Sequence, residues 1–441
     1  MSQHLPLRGM AAFLVVWLGQ VVSLIGSGLT RFGLTLWVLE HTGSVTQFSL
    51  ILFFSALPGG LIIPIAGVLS DRFNRRHLMI VSDTVAALGT VIALLLILGG
   101  RLAVWHIYLI TTIQTAASLF QRPAYMASVP LLVPQAQLGR ASGLLQVATT
   151  LPDIISPIVA GALIGFIGLN GLVAIDLITF LFALVTLALV VIPKPARSQA
   201  GAAAAQASFA QDIFFGWRYI RARSGFLQLL LYVAAINLVF AMFEALLPPL
   251  ILSMGDERTL GIVLSLLGAS LLLGSLIMAA WGGPRRRVFG VLTSGFAVGV
   301  GIFVLGWQTS PWLVAGVGFV ALLSVPIMSG CSQAFWLEKV EPDIQGRVSG
   351  IRMVVGTSTL PIGFLLAGLF ADYVFNPLLT STGPLASLPG VFFGIGPQRG
   401  ISLLLVVIGV LTILVTLAGL SSARLRLLDR SAPDAALASA D

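Results

Sequence analysis

What this 441-residue sequence has least of is charge: 9% of its residues are Asp, Glu, Lys or Arg, against roughly 25% in soluble domains. Together with 57% hydrophobic residues and a mean hydropathy of +1.03, that scarcity excludes a water-soluble globule. Cysteine is nearly absent too. The single Cys331 lies inside an apolar run and leaves no intramolecular disulfide to form. The four histidines, at 4, 41, 77 and 106, are scattered, and there is no Asp-rich metal motif and no P-loop. A membrane prenyl or glycosyl transferase is expected to cluster Asp or His at one membrane face, so the chain is not expected to be an enzyme. ATP cannot drive it without a separate ATPase subunit, and no metal or resident cofactor is expected. Sheet-like alternation is missing as well. Gly and Pro are scattered through long apolar runs, which points to a helical bundle rather than a barrel. No cleavable signal peptide is evident, because residues 10–39 are too long for a signal core and lack a clear cleavage site.

What is present is a series of apolar runs long enough to cross a bilayer, at about 20 residues each. The first six fall near 11–38, 46–69, 78–99, 104–128, 138–166 and 171–192. A second six fall near 226–253, 258–281, 288–308, 311–336, 346–374 and 400–420. The basic residues then sort by side. Arg8, Arg72, Arg75, Arg76, Arg140, the linker between the sets, Arg285, Arg286, Arg287, Lys339, Arg347, Arg424, Arg426 and Arg430 share one side, while Arg101, Arg258 and Arg399 take the other. By the positive-inside rule both termini are expected in the cytoplasm, which requires an even number of spans. The net charge of +8 therefore marks a membrane side rather than a nucleic-acid surface.

A repeat divides the chain. Residues 139–143 read G-R-A-S-G and 346–350 read G-R-V-S-G. The same offset carries Gly67 to Gly274 and Gly161 to Gly368. The expected architecture is an all-α integral membrane protein with 12 transmembrane helices in two pseudo-symmetric six-helix halves. The halves are 1–192 and 226–420, joined by a cytoplasmic linker, 193–225, and followed by a tail, 421–441, expected to be disordered from 431. In the linker Phe209, Ile213, Trp217 and Ile220 recur at helical spacing among Arg218, Arg221 and Arg223. They read as a helix on the lipid surface or as an ordinary solvated linker helix. The loop 375–399 is rich in Pro and Gly and is expected to be irregular.

Residues 67–77 read G-V-L-S-D-R-F-N-R-R-H. A span descending to the cytoplasm ends there with its negative dipole end, which suits Arg72, Arg75 and Arg76 and leaves Asp71 in need of a partner. The spacing Gly-x-x-x-Asp-Arg-x-Asn-Arg-Arg resembles the loop between helices 2 and 3 of major facilitator superfamily transporters. Asn74 stands where that family has glycine, and Asn is the next best residue for a left-handed turn. The resemblance implies a cytoplasmic gate made of Gly67, Asp71, Arg72, Arg75 and Arg76, with Asp71 meeting the N-terminus of span 11. A stop-transfer turn whose arginines only fix topology is the alternative. The second half keeps a degraded copy, G-G-P-R-R-R at 282–287, without the acid.

Other stretches narrow the resemblance: G-Q-V-V-S-L-I-G-S-G-L-T at 19–30, L-E-H-T-G-S at 39–44, the pair 123–124 and G-I-G-P-Q-R-G-I at 394–401. They resemble bacterial exporters of the macrolide-efflux and enterobactin-exporter branch. That implies the major facilitator fold in a bacterial cytoplasmic (inner) membrane and proton-driven efflux by alternating access. The substrate class is a small amphipathic compound: a drug, a macrolide-like molecule, or a siderophore or other secondary metabolite. An uptake facilitator or lipid flippase on the same fold, and a transporter-like sensor or scaffold without flux, are the alternatives. The expected partners are that substrate and the bilayer, with no nucleic acid, and the chain is expected to be a monomer.

Ionisable groups deep in lipid are costly and therefore functional candidates. Arg31 in span 1 and Glu244 in span 7 lie at similar depth on equivalent helices, so they are candidates to pair when the outer side is closed, unless each snorkels to the surface. Asp153 precedes S-P-I-V-A-G at 156–161, which resembles the Gly-Pro-x-x-Gly-Gly signature of drug–proton antiporters through Pro157 and Gly161. Asp153 is a second protonation candidate, or else it hydrogen-bonds Thr149 or Thr150. Asp83 and Asp176 read as structural, Asp83 within reach of an arginine of 72–76. Trp17, Gln20, Gln114, Asn237, Gln333 and Trp336 fall on spans 1, 4, 7 and 10, the cavity-lining set the fold implies, and are candidates to line a substrate site. Span 4 lacks the early arginine that many proton antiporters of the superfamily carry there, since residues 104–118 contain none.

Overall fold

In the computed structural model every assigned element is a helix. The structure describes residues 9–72, 75–190, 209–341, 344–380, 385 and 399–431, though not the side chains of 60–61, 63–72, 75, 127, 136, 209–214 and 430–431. The first four elements are α1 (Gly9–Thr42), α2 (Val45–Arg72), α3 (Arg75–Leu98) and α4 (Val104–Leu132). A single stretch, Leu138–Leu189, then runs for 52 residues, about 78 Å at 1.5 Å per residue and more than twice a bilayer core. Gly168, with φ 64° and ψ −176°, breaks it, giving α5 (138–167) and α6 (169–189). Glycine is required at that turn because φ is positive.

After the linker come α7 (Phe209–Ala222), α8 (Ser224–Leu252), α9 (Glu257–Trp281), α10 (Arg287–Leu305), α11 (Pro311–Leu322), α12 (Ser324–Lys339) and α13 (Gln345–Leu369). α13 continues through a π-helical turn, Phe370–Phe375, and α14 (Arg399–Ser421) closes the set. Among the described residues nine helical stretches are long and apolar enough to cross a membrane. The Gly168 break makes one of them two. With α2 and α4, of 28 and 29 residues, the helices give the twelve passes of the expected fold, span 10 being made of α11 and α12 together.

The chain forms two compact units, residues 1–43 with 54–206 and residues 44–53 with 207–441. The helix they share is α2, whose first turns pack with the second unit. Unit 1 is organised on a glycine seam. Gly19, Gly26 and Gly33 of α1 stand seven residues apart and face Thr186, Thr179 and Leu172 of α6, also seven apart. A Cβ at Gly19 or Gly26 would overlap the facing threonine hydroxyl, so these two helices approach closely in the way small residues permit in membranes. Unit 2 instead packs aromatic rings. Phe226, Phe335 and Trp336 meet edge to face at 5.2–5.7 Å, the geometry their quadrupoles favour.

α7 is docked on unit 2. Ile220 is fully buried in that core, Trp217 packs against it, and Gly216 lies so close to the Arg347 carbonyl that a Cβ would fall 2.5 Å away. Arg218, Arg221 and Arg223 are exposed. The apolar stripe read at 209–220 is therefore a protein-packing face where it is described.

The 207-residue repeat recurs in the backbone. α4 ends at Val133 (φ −103°, ψ 131°) and α12 at Val340 (φ −110°, ψ 130°). α5 begins after Gln137 (φ −110°, ψ 1°) and α13 after Ile344 (φ −111°, ψ −3°). Both turns therefore close one span and open the next with the same bends.

Candidate functional site

Arg31 on α1 and Asp153 on α5 form an ion pair at 3.5 Å, with both side chains 64% exposed. Arg31 thus has a partner inside its own unit. The alternative bonds of Asp153 to Thr149 or Thr150 are not the ones made, since both threonines donate to the Gln146 carbonyl. α5 stays helical past Pro157 and Gly161, which is buried. Gly28 of α1 gives the close approach there, where a Cβ would overlap the Ser156 hydroxyl. Glu244 is an exposed position on α8 between the buried Phe243 and Ala245.

Two further acids lie inside unit 1 and meet neutral groups. Asp176 on α6, 3% exposed, accepts from Ser27 of α1 at 3.0 Å and Thr90 of α3 at 3.2 Å. Gln114 of α4 donates to Thr90 at 3.0 Å and to the Ala86 carbonyl at 3.2 Å. Asp83 on α3 accepts from Gln20 at 3.4 Å, and Gln20 in turn accepts from Gln121 at 2.6 Å. Trp17 gives its indole N–H to the Leu144 carbonyl at 2.7 Å. Three candidate lining residues, Trp17, Gln20 and Gln114, thus use their polar atoms to join the helices of unit 1.

In unit 2 the candidates come together around a residue the sequence did not single out. Arg352 of α13 places its guanidinium 4.7 Å from the Trp336 ring centroid and reaches the Gln333 amide oxygen at 3.4 Å, a cation–π contact with a polar rest. Asn237 of α8 faces Gly356 of α13. Trp336 itself is buried in the core of unit 2, so the amide of Gln333 and the cation of Arg352 are what this group can present to an amphipathic ligand.

Of the motif at 67–77, Gly67, Asp71, Arg72 and Arg75 have side chains outside the described residues, and Asn74 lies outside them altogether. Arg76 is described and donates to the Ala188 carbonyl of α6 at 2.8 Å. Its degraded copy is better defined. Gly282 closes α9 in the left-handed region, φ 76°, and Arg287 meets Glu338 through Nε and Nη2 at 3.0 and 2.9 Å. The Asp429 carboxylate accepts the Val288 N–H at the start of α10, and burial pushes it above the usual carboxylate range.

One acid was not anticipated. Asp372, in the π-helical turn after α13, accepts from the Ser44 hydroxyl at 2.6 Å, the Thr46 N–H at 2.8 Å and the Val45 N–H at 3.2 Å. Its signal was half visible. Ser44-Val-Thr-Gln47 has the S-x-x-Q form of a helix start, but nothing in the local sequence names a distant acid as its partner. No group of His, Cys, Asp or Glu among the described residues could hold a metal ion.

Residues 16–364 match the model of the Major Facilitator Superfamily. The chain is 30% identical to Macrolide efflux protein A of Streptococcus pyogenes over 369 residues, covering 82% of this chain and 90% of that protein. It is 25% identical to the multidrug efflux pump Tap of Mycolicibacterium fortuitum over 384 residues, covering 84% and 91%. Among solved structures, a bacterial homolog of the human lysosomal transporter Spinster superposes with a TM-score of 0.68 at 15% identity, covering 96% of this chain and 97% of that one. A helical bundle of this fold, with a family match over most of its length and no enzyme among these relatives, is a multi-pass membrane transporter, and the chain belongs to the Major Facilitator Superfamily.

Proposed function

We propose that this transporter exports a small amphipathic compound from a bacterial cytoplasm, driven by inward proton flow. Its six-helix halves, 1–192 and 226–420, would give alternating access, with both termini cytoplasmic and the chain acting as a monomer. The observation that carries this reading is the Arg31–Asp153 pair, a cation and a carboxylate in mid-span that remain half open. A proton on Asp153 removes the anion that holds Arg31. Arg31 is then released from α5, and the proton leaves when the pair reforms. Where it opens to the water of a transport cavity, such a pair is worth at most about 1 kcal/mol, weak enough to make and break in each cycle. The efflux relatives support the direction of transport and the amphipathic substrate, and Gln333 and Arg352 offer it an amide and a cation, with Arg352 resting on the buried Trp336 ring. The resemblance assigns the closing of the cytoplasmic side to Asp71, which on that reading would meet the N-terminus of span 11.

The test is accumulation of a fluorescent amphipathic dye in cells expressing the chain, with and without a protonophore. Lower accumulation that the protonophore abolishes is expected. Export that continues undiminished with the gradient collapsed would remove proton coupling, and export unchanged in Asp71→Asn would remove the gate.

A further inference from the structure

We propose that Asp372 is an outer latch, a carboxylate that caps the N-terminus of α2 and holds the outer ends of α2 and α13 together until the transport cycle parts them. Three donors at one helix start converge on it: the Ser44 hydroxyl and the N–H groups of Val45 and Thr46. Ser44 also accepts the Gln47 N–H at 3.2 Å. The cap is thus completed jointly by a residue at the start of α2 itself and by an acid 328 positions away. A helix N-terminus carries roughly half a positive charge, so an anion there is favoured while the contact lasts and leaves no buried ion when it opens to water.

Contacts beneath the cap support the same joint. Gly368 of α13 abuts α2 so closely that a Cβ would stand 2.6 Å from the Thr46 Cα and 3.1 Å from the Ser49 hydroxyl. Val45, Phe48 and Ser49 are buried there. The π-helical turn then begins at Phe370. One extra residue in a turn rotates the remainder of the helix by about 100°, which re-aims Asp372 relative to the face that carries Gly368. Turns of this kind are often kept at functional positions.

Two facts make the joint a latch rather than a static cap. The first turns of α2, residues 44–53, belong to unit 2, whereas α2 from Phe54 onward belongs to unit 1. The boundary between the units therefore falls inside α2, only a few turns past the cap, and the cap is what ties those first turns to α13. The second is reciprocity, which rests on the gate reading of Asp71. On that reading an acid at the inner end of α2 would cap the N-terminus of α13. Here an acid at the outer end of α13 caps the N-terminus of α2. The same two helices would then exchange carboxylates at opposite ends, so that one contact could hold while the other is open.

The experiment needs no substrate. Cys331, the only cysteine and fully buried, is replaced by alanine, and Ser49→Cys supplies a thiol under the latch. A membrane-impermeant maleimide added to intact cells reads its exposure. Labelling is expected to be slow with Asp372 present, at least tenfold faster in Asp372→Ala, and intermediate in Asp372→Asn, which keeps one acceptor oxygen. Ser44→Ala, which removes one of the three donors, is expected to speed labelling severalfold and carries the test should Asp372→Ala not fold. Adding Asp71→Asn to Asp372→Ala is expected to bring the rate back toward that of the parent. Rates that stay the same in both the Asp372 and Ser44 variants overturn the latch. A rise in Asp372→Ala that Asp71→Asn leaves untouched keeps the latch and removes the gate reading, whatever the dye measurement shows.

Discussion

The two faces of α1 treat polar groups in opposite ways. The face toward α6 and α3 is sealed: Gly19 and Gly26 admit threonines at contact distance, and Gln20 and Ser27 hydrogen-bond a half-buried and a buried carboxylate. Toward α5, one turn beyond Ser27, α1 presents an open face that holds Arg31 against Asp153 with both side chains 64% exposed. The sealed face meets its acids with amides and hydroxyls, the open face with a guanidinium. Neutral donors join helices without demanding a fixed charge state of the pair, whereas an ion pair changes its energy by a whole charge when a proton arrives. Structure and coupling can thus share one helix by using different chemistries on its two sides.

The largest way to break the comparison is steric. Gly26→Leu forces a branched side chain into the Thr179 and Asp176 contact and is expected to cost about 3 kcal/mol, read as loss of the folded protein in detergent. Gly165→Leu, where a Cβ meets nothing within 4 Å, is its control and is expected to be neutral. Should both be tolerated alike, the seam does not hold unit 1. On the open face, Asp153→Asn is expected to reduce gradient-driven export at least tenfold. Its melting temperature should stay within a few degrees of the parent, since an exposed pair adds at most about 1 kcal/mol. Asp176→Asn on the sealed face should do the reverse. Its amide nitrogen can no longer accept from one of Ser27 and Thr90, a loss of about 1–2 kcal/mol, while export stays within about twofold. An outcome in which Asp176→Asn abolishes coupling and Asp153→Asn does not would exchange the roles of the two faces.

The fold was legible in the sequence because lipid makes span length and charge placement nearly sufficient. The gap between spans 5 and 6, at 167–170, contains Gly168, where the chain breaks. The G-R-x-S-G repeat also marks turns whose backbone angles agree within a few degrees. The site was legible in part. Arg31 and Asp153 both stand out as ionisable residues in lipid, but their pairing depends on how α1 lies on α5, which no local pattern encodes. Span number alone makes Gln20 and Gln114 cavity-lining, while the face of the helix decides what an amide meets. The seven-residue spacing of Gly19, Gly26 and Gly33 is a sequence signal for the seam that span length and charge do not draw on. Asp372 was beyond reach, because its direction depends on a π-helical turn that shifts the helical phase without a sequence signature.

The smallest expected effect lies outside the membrane and extends the contrast to α7. The Tyr219 hydroxyl donates to Glu341 at 2.5 Å, and the Arg223 guanidinium stands 3.7 Å over the same ring. The hydrogen bond from Tyr219 holds the Glu341 carboxyl below its ordinary value of 4.5. For an acid lowered in the folded state, the stabilisation is complete above the ordinary value and is lost as pH falls through the lowered one. Docking of α7 is therefore expected to be flat between pH 5 and 8 by hydrogen exchange of residues 215–222, and to loosen only in stronger acid. Tyr219→Phe is expected to cost about 1 kcal/mol, the net worth of one such hydrogen bond, and to remove that acid-side loosening. A docking strength that instead changes near neutral pH would mean that a group other than Glu341 governs it, and α7 would join the open face as a proton-sensitive element.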